Sequence, residues 1–116
     1  CSSRLVLDRI GDKWSVLVVG QLASGTCRFG ELRRTIEGIS PKVLTHTLRS
    51  LERDGIVNRR IYATIPPKVE YSLTPLGVTL VDLVVAIRDW AEDNIDAVLS
   101  AQQRFDLQRE SELEAE

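Results

Sequence analysis

A mainly α fold with a small β-hairpin (α+β) is predicted by three features of this 116-residue sequence. Apolar residues recur at helical spacing through "RFGELRRTIEG" and again through "SPKVLTHTLRSLERDG", two helices with a glycine turn between them. The periodicity then falls to two in "IVNRRIYATIPPKVEYSLT", where two β-prone runs flank a loop holding Pro66 and Pro67. A long apolar-striped helix follows. Two helices joined by a tight glycine turn form a helix-turn-helix, and a hairpin directly after the second helix sits where a wing would. The predicted fold is therefore a winged helix-turn-helix with N- and C-terminal dimerisation helices.

Apolar residues make up 43% of the chain and charged residues 28%, the balance of a soluble globular protein. No run reaches the roughly 18 apolar residues of a membrane span, and the N-terminus lacks signal-peptide zones, so the cytoplasm is the expected compartment and no membrane partner is expected. Methionine is absent even at position 1, so residues are expected to be missing before Cys1. The length suits one domain, expected over residues 1–101, with an acidic, frayed tail over 102–116.

In chain order, "LVLDRIGDKWSVLVVGQLASG" predicts a short helix, a break near Gly11, and a helix from about Lys13 to Ala23 capped by Asp12. Trp14, Leu17, Val18 and Leu22 fall on one side, with Trp14 as a core anchor. Phe29, Leu32 and Ile36 define the next helix, which Gly38 ends. Ser40 caps the helix after the turn and Pro41 is its first residue, where a missing N–H costs nothing. Gly55 closes it. In the hairpin, runs Val57 to Tyr62 and Val69 to Leu73 flank the proline loop, and Val69, Tyr71 and Leu73 alternate toward the core. Thr74 and Pro75 open the longest helix, predicted to reach about Ala101. Its apolar residues cover about half the circumference, wider than a helix lying on its own small domain needs. A partner chain is the expected second cover, through Leu5, Leu80, Leu83, Val84, Ile87, Trp90, Ala91 and Ile95.

The helix after the glycine turn separates its two faces cleanly. With Leu44 at the origin, Leu48 and Leu51 lie within about 40° of it, whereas Lys42, His46, Arg49 and Arg53 lie between about 140° and 200°. Leucines that lock a helix to its domain, behind a cationic outer face, are what a major-groove reader needs. Lys42, Thr45, His46 and Arg49 are the candidates for base edges, Val43 for a thymine methyl, and Arg53 for the backbone. The helix N-terminus at Ser40 can receive a phosphate. Arg28, Arg33 and Arg34 flank the turn, and Arg59, Arg60 and Lys68 sit on the hairpin.

Charge distribution supports this placement. Residues 1–27 hold three basic and two acidic groups, 28–68 hold nine and four, and 69–116 hold three and eleven, for nets of +1, +5 and −8. A polyanion could bind the middle third while the rest repels it. Catalysis and metal binding find little support. His46 is the only histidine and lies on the basic face, two cysteines do not make a structural zinc site, and no glycine-rich phosphate loop follows a strand. No cofactor, metal or catalytic residue is expected. The alternative from another class is a winged-helix protein-interaction module, which would expose apolar residues over 40–54 instead of cations.

The segments "LDRIGDKW", "RFGELRRTIEGISPKVLTHTLRSLERDGIVNRR" and "PPKVEYSLTPLG" resemble, over about residues 1–100, the HxlR-type transcription regulators, small dimeric winged-helix proteins of bacteria related to the MarR group. The resemblance implies a homodimer built by terminal helices, binding of double-stranded DNA by the helix Pro41 to Asp54, and a wing between Tyr62 and Val69. It implies a sequence-specific regulator acting on an inverted-repeat operator. Some members sense oxidants or electrophiles through a cysteine just before the first helix, a place matched by Cys1. Cys27 matches no such motif, and the resemblance names no small-molecule effector.

Overall fold

The computed structural model describes residues 2–115. Nine elements follow in order: α1 (Ser2–Ile10), α2 (Lys13–Leu22), β1 (Cys27–Arg28), α3 (Phe29–Thr35), α4 (Pro41–Arg53), β2 (Val57–Tyr62), β3 (Lys68–Leu73), α5 (Pro75–Val78) and α6 (Val81–Ala115). The chain divides into two compact units at Val84, and the second is the continuation of α6.

The core of the first unit gathers the inward residues of α2, α3 and α4. Val18, Val19, Leu22, Leu32, Ile36, Leu44, Leu48 and Leu51 are all buried, with Ile56 and Val57 closing them off at the start of the sheet. Trp14 packs against this cluster while half-buried, with the Lys13 ammonium 4.6 Å from its ring centre. Leu17, assigned to the same inward face from the sequence, is instead 39% exposed, because Val18 and Val19 carry the contact. Asp12 caps α2, its carboxylate accepting from the Trp14 N–H at 3.1 Å.

The sheet has three antiparallel strands in the order β1-β3-β2. The sequence predicts only the β2–β3 hairpin; the two-residue β1 is too short to leave a periodic signal. It pairs Cys27 with Tyr71 and Arg28 with Glu70. In the hairpin, Arg59 faces Tyr71, Arg60 faces Glu70, and Tyr62 faces Lys68. Tyr71 and Leu73 pack on the core, so the strand alternation puts Arg59 and Ile61 on the inner face and Arg60, Tyr62, Lys68 and Glu70 on the outer one.

The predicted single C-terminal helix is broken into α5 and α6. At the break, the Thr79 N–H donates to the Leu76 carbonyl and the Leu80 N–H to that of Gly77, a tightening to three-residue steps. The Thr79 hydroxyl also donates to the Leu76 carbonyl, competing for the acceptor an α-helix would use. At the other end α6 continues to Ala115, past the predicted stop at Ala101 and through the stretch read as a frayed tail. No glycine or proline follows Gly77, and Ala, Gln, Arg, Glu and Leu dominate the extension. Among the described residues, no helix is long and apolar enough to cross a membrane.

Candidate nucleic-acid interface

The turn between α3 and α4 is set by Gly38, whose φ of +83° is a conformation that side chains resist. Ser40 then caps α4, its hydroxyl accepting from the Val43 N–H at 3.1 Å, and Pro41 occupies the first turn. Leu44, Thr47, Leu48 and Leu51 are buried. Lys42, His46, Arg49 and Arg53 are exposed, with Val43 and Thr45 half-buried at the edges of the outer face. Outward basic side chains and inward leucines thus occupy opposite sides of one helix, as the spacing predicts.

The far end of α4 is stitched to the sheet and to α5. Gly55, at φ +76°, ends the helix, and the Thr74 hydroxyl donates to the Gly55 carbonyl at 2.6 Å with the Ile56 carbonyl 3.2 Å away. The same hydroxyl accepts from the Gly77 N–H at 3.0 Å, capping α5. A Cβ on Gly77 would lie 2.2 Å from the Ile56 carbonyl oxygen, so this corner admits only glycine. Arg9 of α1 pairs with Asp54, the C-cap of α4.

The surrounding cations divide into two sets. Arg59 projects from the inner sheet face and pairs with Glu52 of α4 at 3.3 Å, holding hairpin to helix. Lys68 pairs with Glu70 at 3.2 Å. Among the described residues, no ion pair engages Arg33, Arg34, Lys42, His46, Arg49, Arg53 or Arg60. The Arg34 guanidinium folds back toward Gly30, and the Arg28 N–H donates to the Glu31 carboxylate at 3.2 Å.

Sequence reasoning passed over Tyr62. Its ring carries the Arg60 guanidinium at 4.8 Å and the Lys68 ammonium at 5.0 Å, and its hydroxyl hydrogen-bonds Glu70. That bond, then Lys68, holds the Glu70 carboxyl below its ordinary range. The ring is a shelf that orders two long cationic chains. Its signal was the i, i+2 spacing of Arg60 and Tyr62 in a predicted strand. Tyr71 was read only as core; burial raises its phenol pKa, and Arg59, Glu52 and Arg49 all act on it electrostatically.

These features make a helix with a basic outer face beside a basic hairpin. Residues 9–99 match the sequence model described as HxlR-like helix-turn-helix. The chain belongs to that family. The HxlR-like chain is 48% identical, over 86% of its length and 79% of the relative's, to the uncharacterized HTH-type transcriptional regulator YtfH of Escherichia coli (strain K12). The solved structure of the transcriptional regulator ytfH from Salmonella typhimurium superposes with a TM-score of 0.82 at 47% identity, covering 89% of this chain and 92% of that one. The redox regulator HypR in its reduced form gives 0.78 at 43%, covering 86% and 99%. This HxlR-like chain is thus a winged helix-turn-helix transcription regulator that binds DNA.

Cys1 lies outside the described residues. Cys27 is half-buried in β1, its thiol donating to the Gly25 carbonyl at 3.6 Å. Burial, followed by the charge of Glu31, pushes that thiol above its ordinary range. Of the sequence-predicted dimer contacts, Leu5, Leu83, Ile87, Trp90, Ala91 and Ile95 are exposed and Leu80 is half-buried. Val84 departs from that set: only 3% exposed, it belongs to the core of the first unit, because the short α5 aims the first turn of α6 inward.

Proposed function

We propose that this regulator acts in the cytoplasm as a homodimer on an inverted-repeat operator, with α4 in the major groove of each half-site. The observation that carries this reading is the outer face of α4, where Lys42, His46, Arg49 and Arg53 stand exposed with no acidic partner among the described residues. A helix evolved to dock protein would expose apolar groups there. Lys42, Thr45, His46 and Arg49 meet base edges, Val43 a thymine methyl, and Arg53 with the Ser40 terminus the backbone. Arg28, Arg33, Arg34, Arg60 and Lys68 meet phosphates; Arg59 chiefly braces the hairpin. The dimer uses Leu5 with the exposed apolar stripe Leu83, Ile87, Trp90, Ala91 and Ile95.

Equilibrium binding against salt tests the division of labour. Arg60→Ala and Lys68→Ala should weaken every sequence alike and flatten the salt dependence, since phosphate contacts release counterions without reading bases. Equal wild-type affinity for operator and random DNA at physiological salt rejects the reading.

The proposal extends to an oxidant response through Cys1, supported by likeness to HypR, solved in reduced and oxidised forms. Diamide removes the two hydrogens of a pair of thiols as their disulfide forms. A Cys1–Cys1 disulfide across the dimer would shift the two α4 helices relative to one another. Operator binding before and after diamide should change in wild type and stay constant in Cys1→Ser. An equal response in both excludes Cys1 as the sensor.

A further inference from the structure

The hairpin tip holds a feature that phosphate contact does not explain. Ile65 has a relative exposure of 102%, and it is held there rather than left on a slack loop. The Thr64 N–H donates to the Tyr62 carbonyl at 2.9 Å, and the Thr64 hydroxyl donates to the Pro66 carbonyl at 2.9 Å. These two bonds pin the residue before and the residue after, so the isoleucine projects from a built turn. Directly behind it stand Arg60 and Lys68, both ordered on the Tyr62 ring. The tip itself, Ala63 to Pro67, contains no charge and no side-chain amide.

Reach decides what such a tip can touch. The six residues of β2 extend about 20 Å at roughly 3.3 Å each. From a major groove occupied by α4, the neighbouring minor groove lies half a helical turn away, about 17 Å. Resting on the reading of α4 proposed above, we infer that Ile65 is a specificity-determining residue: an apolar tip in the minor groove beside each half-site, with Arg60 and Lys68 on the flanking phosphates. Every base pair shows acceptors at that edge, but only G·C adds an amino group. An isoleucine has no acceptor to offer that donor and leaves it no room, so the tip disfavours G·C without donating a single hydrogen bond. The polyanion accepts the apolar tip because the cations behind it hold the hairpin against the backbone.

Inosine, which lacks the amino group yet keeps the major-groove edge of guanine, isolates this contact. Operator duplexes carrying A·T, G·C or inosine·C in turn at each pair flanking a half-site are titrated with wild type and Ile65→Ala. At one flanking position wild type should bind A·T and inosine·C alike and G·C about tenfold more weakly. Ile65→Ala should bind all three alike there, with unchanged melting temperature and unchanged half-site preferences. Flat wild-type binding at every flanking position, inosine·C as weak as G·C, or discrimination surviving in Ile65→Ala overturns this inference alone. Wild type that cannot tell operator from random DNA overturns it together with the reading of α4.

Discussion

Arg49 leaves α4 on its outer face, within electrostatic reach of Tyr71 and clear of any carboxylate partner among the described residues. Its guanidinium can donate two parallel hydrogen bonds to one guanine edge, which a lysine cannot do. Arg49→Ala should therefore cost about 1–3 kcal/mol on the operator and relax preference at one base position, and Arg49→Lys should recover affinity without the preference. Affinities across single-base operator variants check it. Burial and the charge of Glu31 disfavour the Cys27 thiolate. Its pKa is raised, so at neutral pH the thiolate is scarcer than in a free cysteine and gains only as pH climbs past the ordinary thiol range. In Cys1→Ser, iodoacetamide should label Cys27 more slowly than a model thiol at pH 7, with the gap closing in alkali.

At the level of elements, the corner where α4, β2 and α5 meet ties the helix to the hairpin through Thr74 and Gly77. Gly77→Ala puts a methyl against the Ile56 carbonyl oxygen and should cost about 1–3 kcal/mol, read as a lowered melting temperature. Leu48→Ala, in the buried stripe of α4, should cost about 2–5 kcal/mol. The helix-turn-helix and the hairpin were legible because their signals are local: Ser40 and Pro41 mark a start, Gly38 and Gly55 mark turns, and Val69, Tyr71 and Leu73 alternate. What stayed hidden depends on partners distant in sequence. β1 exists only because β3 offers it an edge, and Arg59 turns inward because its strand parity and Glu52 meet. The α5–α6 break needed the Thr79 hydroxyl, whose competition for a carbonyl no periodicity records. The tail ran against its composition: acidity suggested fraying, but a stretch without glycine or proline and rich in Gln, Arg, Glu and Leu continues α6.

For the whole molecule, the exposed apolar stripe of α6 is the face that the proposed dimer would cover. Trp90 is 62% exposed, and Ile87 and Ile95 lie exposed near it along the helix. Replacing Ile87 and Trp90 with glutamate should leave a folded monomer by sedimentation at micromolar concentration, where wild type sediments as a dimer. The twofold dimer proposed above would present two α4 helices to successive major grooves, and its operator would then carry the same symmetry. Retention of genomic DNA fragments by the intact protein at physiological salt, followed by sequencing, tests this most directly. The expected result is an enriched inverted repeat with half-sites about 10 bp apart or a near multiple; retained fragments no different from the input would contradict it.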